Sequence, residues 1–319
     1  MDYIPIMIPS YHRPDNIKTA KYFLKNGYPA DKIYVVIDSE ADDAAEYLAF
    51  CGRHRVNIRI FDMKEARERY DYIHRPSVSR RSAGQARNMF YDIAKEEGFT
   101  FYCVQDDDTN GFEIRPFGKY ARLAEMEEIC EVFAAIKEWM ERRRIGCFGL
   151  SQTGEMFQKY DSRLWRHKVM NCTFYDTRFI YRGERGVQDD DTSQFCAMYN
   201  EGYFAGSMAA GLVLKQTPSA TAKGGLTDLY NECKLLNKAM VVPITYPSAV
   251  FAERQTKNGG RLHHHIVYKN LGPCLLKNPG GRDNIAWDTY PEDIPFTNEP
   301  RMRRMEMYAD AEKVDCSEK

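Results

Sequence analysis

The hexapeptide Val-Gln-Asp-Asp-Asp-Thr occurs twice in this chain, from Val104 to Thr109 and again from Val187 to Thr192, and each copy sets three carboxylates side by side. Adjacent ionised Asp side chains repel one another, so a folded chain disperses them on solvated surface or offsets them with a cation. The first copy closes an apolar run, Phe99 to Val104, that reads as a buried strand. Carboxylates at the C-terminal edge of a buried strand stand where open α/β sheets gather their ligands.

The surrounding chain supports such a sheet. Ile4 to Pro9 reads as a strand, followed by a loop, Ser10 to Pro14, and a helix capped by Asp15 or Asn16 that runs to Lys25 and stops at Asn26-Gly27. Ile33 to Ile37 is a second strand ending at Asp38, Glu40 to Cys51 a second helix, and Val56 to Phe61 a third strand. Ser82 to Glu97 has helical spacing and feeds the strand carrying the first triplet. Four strands with intervening helices predict a parallel sheet with right-handed crossovers. Further on, Tyr120 to Arg143 reads as a long amphipathic helix and Ile145 to Leu150 as a strand. Antiparallel strands are expected around Phe174-Tyr175 and Arg178 to Tyr181, and a helix from about Thr192 to Asn200. The flanks of the two hexapeptides differ, which favours two separate carboxylate roles over a duplicated domain.

At 319 residues and 43% hydrophobic, the chain can bury a substantial core. The expected division is one domain, 1–281, with halves 1–110 and 111–281, and a polar C-terminal extension, 282–319. No run approaches the roughly 18 apolar residues of a membrane span, and Met1-Asp-Tyr-Ile-Pro5 lacks the layout of a signal peptide. A soluble, cytoplasmic protein without membrane contact is expected. Nine scattered cysteines without a C-x-x-C pair argue against a disulfide framework or a zinc knuckle. A net charge of −1 denies the chain a global basic field, leaving local clusters such as Arg80-Arg81, Arg142 to Arg144 and Arg301 with Arg303-Arg304.

An Asp cluster followed by Thr and Gly is compatible with a Mg2+ or Mn2+ site, a calcium loop or an acidic capping turn without a ligand. The calcium loop is the weakest, because alternating oxygen ligands closing on a Glu are missing.

Four features together resemble the GT-A glycosyltransferases, in particular the branch related to family 2. Ile4 to Pro14 resembles the opening strand and nucleotide loop. Asp38 matches the acidic residue that contacts the nucleoside. Gly84-Gln-Ala-Arg87-Asn88 is similar to a G-x-x-x-A-R-N stretch, with shorter Gly-to-Ala spacing. Gln105 to Asp108 occupies the position of the D-x-D metal motif. The resemblance implies a Rossmann-like, mostly parallel sheet flanked by helices, with a smaller antiparallel sheet on the acceptor side and a C-terminal extension. It implies a UDP-sugar donor contacted by Pro9, Ser10, Tyr11, Arg13, Asp38, Arg87, Asn88, Gln105 and Asp106, and Mn2+ or Mg2+ held by Asp106, Asp107 and Asp108. A C-terminal metal or phosphate contact falls on the run His263-His264-His265, with His263 and His265 the candidates and an exposed polar loop the alternative; Arg254 and Lys257 are candidate cations for the diphosphate. The second triplet falls where that family carries an acidic pair heading a helix, and in inverting members one of those carboxylates is the catalytic base, which makes Asp191 the leading candidate and Asp190 the second if the enzyme inverts. A carboxylate there can take a proton from an acceptor hydroxyl.

Cations and aromatics interleave from Arg67 to Arg87 (Arg67, Arg69, Tyr70, Tyr72, His74, Arg75, Arg80, Arg81) and recur at Trp165-Arg166-His167-Lys168 and Arg178. Such a strip can bind phosphate and stack a base. The chain also resembles phage-type enzymes that add sugars to oxidised or hydroxymethylated pyrimidines, which implies DNA with modified bases as acceptor and the host cytoplasm as location. A glycan, lipid or protein acceptor is the first alternative. A nucleotidyltransferase is the second, although the loop from Ser10 to Pro14 lacks the Gly-rich phosphate cradle it would want, and a non-catalytic metal- or nucleic-acid-binding module is the third.

Overall fold

The computed structural model describes residues 3–69, 83–115, 122–143, 145–151, 163–165, 169–179, 189–200, 205–208, 211–216, 239–254, 262–267 and 270–271. In chain order the strands are β1 (Ile6–Pro9), β2 (Ile33–Asp38), β3 (Asn57–Phe61), β4 (Phe101–Gln105), β5 (Thr109–Arg115), β6 (Arg122–Leu123), β7 (Cys147–Leu150), β8 (Arg163–Trp165), β9 (Cys172–Asp176), β10 (Ala205–Met208), β11 (Gly211–Gln216), β12 (Val250–Arg254) and β13 (Leu262–Ile266). The helices are α1 (Lys18–Lys25), α2 (Ala44–His54), α3 (Met63–Arg69), α4 (Ala83–Glu96), α5 (Met126–Arg143) and α6 (Asp190–Asn200).

Eight strands form the central sheet in the order β3-β2-β1-β4-β9-β7-β10-β8. The half built from β1 to β4 is wholly parallel, as the alternation of strands and helices predicts. Beyond it, β9 runs antiparallel to both β4 and β7, and β10 returns parallel to β7. Strands β2, β4 and β9 are buried at every position, as expected of strands covered on both faces, whereas the edge strand β3 exposes Arg59 and Ile60. Two smaller antiparallel sheets stand apart: β11-β5-β6 and the pair β12-β13.

Side chains alternate between two cores. Ile6, Ile8, Val35 and Ile37 face one side with Phe23 of α1, Phe50 of α2 and Phe133, Ile136 and Trp139 of α5. Met7, Val36, Tyr102 and Val104 face the other with Phe90 and Ile93 of α4 and Phe195 of α6. The period-two alternation of the strands and the three-to-four spacing of the helices produce this division directly. At Gly149 in β7 an added Cβ would lie 1.9 Å from Val169 Cγ1 and 2.8 Å from the Cys172 carbonyl, so this close approach of strand to neighbour requires glycine. The six cysteines among the described residues are free and buried.

Several boundaries differ from the sequence expectation. Helix α1 starts at Lys18 behind Ile17, without a side-chain cap from Asp15 or Asn16. Helix α2 begins at Ala44, because Asp38 Oδ1 accepts the Glu40 N–H at 2.9 Å and turns the chain first. In place of a helix from Tyr120, Arg122–Leu123 pairs with β5 and α5 starts at Met126, where Glu128 reaches back to accept the Glu125 N–H at 3.0 Å. After β9 the chain turns at Thr177-Arg178, with Asp176 accepting the Arg178 N–H at 2.9 Å. Residues 180–181 of the strand expected there lie outside the described residues, as does the extension 282–319. No described helix is long and apolar enough to cross a membrane.

Candidate active site

The first acidic triplet forms a tight turn between β4 and β5, and its shape is set from three sides. Gln105 Nε2 donates to Thr109 Oγ1 at 2.9 Å, closing the base of the turn. Thr19, in the first turn of α1, is fully buried and holds the turn's backbone. Its hydroxyl donates to the Asp106 carbonyl and accepts the Thr109 N–H at 3.0 Å, and its own N–H donates to the Asp107 carbonyl at 3.2 Å.

The three carboxylates then meet different surroundings. Asp107 turns inward, receiving the Ser10 hydroxyl and Arg13 Nη1, each at 2.7 Å. Ser10 is in turn 2.9 Å from the Tyr47 hydroxyl, which accepts the Arg13 backbone N–H at 3.0 Å. Asp106 receives Arg87 Nη2 at 2.7 Å, and Nη1 of the same guanidinium donates to Asp190 in the second triplet. Asp108 Oδ1 is buried with no hydrogen-bond partner among the described residues. Burial, reinforced by the neighbouring Asp106 and Asp107, pushes the Asp108 carboxyl up to about 7. Burial also raises Asp106, Asp107 and Asp190, opposed at Asp106 and Asp190 by Arg87 and at Asp107 by Arg13.

The second triplet caps and opens α6. Asp189 has a left-handed backbone (φ 55°), and its carbonyl accepts the Ser193 N–H at 2.9 Å. Asp190 and Asp191 lie in the first helical turn, where the exposed N–H groups of the helix favour negative charge. Asp190 is buried, while Asp191 is only partly buried and accepts the Thr192 N–H at 2.8 Å. The helix therefore starts two residues before the expected Thr192.

Strand alternation sorts the histidine run. His264 points inward, with Nδ1 2.8 Å from Asp189 Oδ2 and Nε2 3.4 Å from Thr192 Oγ1. His265 is exposed on the opposite face, with Nδ1 3.0 Å from Glu253, and His263 shares that face with it. The structure thus brings His264 to the second triplet instead of the flanking histidines, a choice the period of two would have revealed had the run been read as a strand.

Of the other expected residues, Pro9 ends β1 opposite Val36, the Tyr11 ring is tilted against that of His12 with centroids 3.9 Å apart, and Asp38 ends β2. Asn88 is buried on α4 one residue from Arg87. Gln105 is wholly buried and braces the turn. In the basic strip, Arg67 binds both oxygens of Glu40 at 2.6 and 2.8 Å, Arg69 pairs with Asp92, and Arg178 pairs with Asp176. Tyr70, Tyr72, His74, Arg75, Arg80, Arg81, Arg166, His167, Lys168 and Lys257 lie outside the described residues. Thr19 and Tyr47 escaped the sequence reading, since an isolated Thr or Tyr on a helix carries no local signal of a partner 90 or 37 residues away.

No group of three or more His, Cys, Asp or Glu side chains among the described residues forms a ready-made metal cage. The orphaned Asp108 oxygen beside Asp106 nevertheless fits a hard divalent ion. Mg2+-type sites take one or two carboxylates and complete their shell with water and substrate phosphates. Asp108 and Asp106, whose Oδ1 also accepts Arg87 Nη2, are the residues that would hold it, while both oxygens of Asp107 are engaged by Arg13 and Ser10.

The result is an α/β protein with a mostly parallel sheet that carries one acidic turn at the end of β4 and a second acidic cluster at the head of α6. The TET-Associated Glycosyltransferase family model matches residues 4–202, and the chain belongs to that family. No curated protein matches it. Solved structures give distant likenesses of fold. A mannosyltransferase from Pyrobaculum calidifontis, in complex with GDP-Man and Mn2+, is 14% identical with a TM-score of 0.45, covering 75% of this chain and 62% of its own. The chain therefore spans less than two thirds of that protein. Glucosyl-3-phosphoglycerate synthase from Mycobacterium tuberculosis, in complex with uridine diphosphate, is 9% identical with a TM-score of 0.42, covering 82% and 86%. The 4-diphosphocytidyl-2C-methyl-D-erythritol synthase of Anaerococcus prevotii is 13% identical with a TM-score of 0.36, covering 66% and 87%.

Proposed function

We propose that this protein is a metal-dependent glycosyltransferase that moves a sugar from a nucleotide-sugar, a UDP-sugar in the first instance, to the hydroxyl of a hydroxymethylated pyrimidine in DNA. The observation that carries the reading is the pairing of the two triplets through Arg87, which puts a donor-side and an acceptor-side carboxylate cluster within one guanidinium of each other. The family membership supports glycosyl transfer, and its association with base-oxidising enzymes, carried in the family name, supports the DNA base as acceptor.

In this reading Ser10, Tyr11, Arg13, Asp38 and Asn88 line the donor's nucleotide, and residues 1–110 form the donor half of a domain that extends to 281. Mn2+ or Mg2+ held by Asp106 and Asp108 would neutralise the departing diphosphate. Asp190 is committed to Arg87, so Asp191, with its carboxylate less buried, is the group that takes the proton from the acceptor hydroxyl. The acceptor oxygen then bonds to the anomeric carbon as the nucleoside diphosphate leaves. A base inside a duplex must be extruded to reach such a site.

The test is Mn2+-dependent release of nucleoside diphosphate from a panel of UDP-sugars, with and without duplex DNA containing 5-hydroxymethylcytosine. Stimulation by that DNA is expected. Donor turnover indifferent to DNA would redirect the acceptor to glycans, lipids or proteins, and formation of a nucleotide-sugar from a sugar phosphate would favour the nucleotidyltransferase alternative.

A further inference from the structure

The geometry points to His264 as a positioning residue that holds the acidic head of α6 from the β12-β13 hairpin, which makes that hairpin part of the transfer apparatus. The inference rests on the proposed role of Asp191. Strand β13 pairs with β12 in the register Ala252 to His264 and Phe251 to His265, so His264 alone of the three histidines turns toward the helix. Its side chain is 4% exposed, as is that of Asp189.

The imidazole touches α6 at two points. Nδ1 lies 2.8 Å from Oδ2 of Asp189, a close contact off the hydrogen-bond line, and Asp189 is the residue that precedes the helix in a left-handed conformation. Nε2 meets the hydroxyl of Thr192, which is fully buried and itself 3.5 Å from Asp191 Oδ1. A single ring therefore contacts the residue before the acidic pair and the residue after it. On the far side Arg87 grips Asp190. The first turn of α6 thus lies between a cation on α4, which engages Asp190, and an imidazole on β13.

Removing the imidazole takes away its contacts with Asp189 and with the Thr192 hydroxyl, which loosens the setting of the Asp191 carboxylate while the turn at β4 is untouched. A positioned base contributes through orientation, and small misplacements are costly. The consequence is a loss in kcat without a loss in donor affinity.

The experiment compares His264→Phe, which keeps an aromatic ring, somewhat larger, and removes both nitrogens, with His264→Asn, which keeps a donor near the Nδ1 position. In the nucleoside diphosphate release assay, His264→Phe is expected to lower kcat ten- to a hundredfold with donor KM within twofold of the parent. His264→Asn is expected to recover most of that loss. Parental kcat in His264→Phe, or equal losses in both variants, overturns the assignment. A second measurement stands apart from activity: a double-mutant cycle of His264→Phe with Asp189→Asn in urea unfolding. A coupling of at least fivefold in the unfolding equilibrium constant is expected, and its absence overturns the contact. If the parent turns over no donor, the glycosyltransferase reading fails, while the cycle still decides whether His264 holds Asp189.

Discussion

Arg87 and Asp190 are joined directly although 103 residues separate them, and the same guanidinium holds Asp106 at 2.7 Å. One cation therefore sits between a buried carboxylate, Asp190, and a partly exposed one, Asp106, drawn from the two copies of the hexapeptide. Its removal leaves both uncompensated. Arg87→Ala is expected to lower stability by about 3–5 kcal/mol in urea unfolding at pH 8. Burial already raises both carboxyls and Arg87 opposes it, so without Arg87 they bind protons more tightly. The deficit should shrink as the pH falls toward 5. Arg87→Lys, a point charge without the fork, should restore one contact and only part of the stability.

Asp108 provides the pH dependence. An unfolded Asp titrates near pH ~4, whereas in the fold this carboxyl is pushed up to about 7. The folded state thus holds the proton more tightly, and the stability this contributes is full below pH ~4 and lost as the pH rises through about 7. Asp108→Asn should flatten the decline in Tm between pH 5 and pH 8 in the presence of EDTA. Divalent metal competes with that proton, so the Mn2+-induced rise in Tm should grow as the pH climbs through about 7 and disappear in Asp108→Asn.

Thr19 supports the donor turn without facing it. Thr19→Val keeps the shape and strands the Thr109 N–H and the Asp106 carbonyl, at a cost of about 1–3 kcal/mol. Thr19→Ser should cost less than half of that. Because the turn carries Asp106 and Asp108, the Val variant should also bind Mn2+ more weakly by isothermal titration. Unchanged metal affinity alongside lost stability would separate the brace from the site.

The two acids at the head of α6 should separate by phenotype. Asp191→Asn is expected to fold with near-parental Tm and lose about a hundredfold or more in kcat, the usual contribution of a general base. Asp190→Asn should lose stability through Arg87, with any drop in activity following unfolding. Equal kinetic losses at equal stability would remove the assignment of Asp191.

The sheet was legible where burial wrote it into residue type. The apolar runs of β1, β2 and β4 are buried on both faces, and the intervening helices leave only a parallel arrangement for them. Strand β9 answers the antiparallel strand expected around Phe174-Tyr175, but its seat between β4 and β7 was not legible, because it depends on pairing partners elsewhere in the chain. The acids at the two triplets were visible as unbalanced charge, but their partners were not: Ser10, Thr19, Tyr47 and His264 reach them only through the tertiary fold. Helix α6, expected from about Thr192, starts at Asp190, because the dipole of a first turn welcomes the acidic pair.

Asp-Asp-Asp-Thr is a reversing turn that reopens into a strand in one copy, and in the other a left-handed residue followed by the first turn of a helix. The same letters carry no conformational instruction of their own. An excised hexapeptide should be structureless. Exchanging the two copies would leave the protein unchanged, and what distinguishes the acids after β4 from those at the head of α6 is written in the neighbours each copy meets.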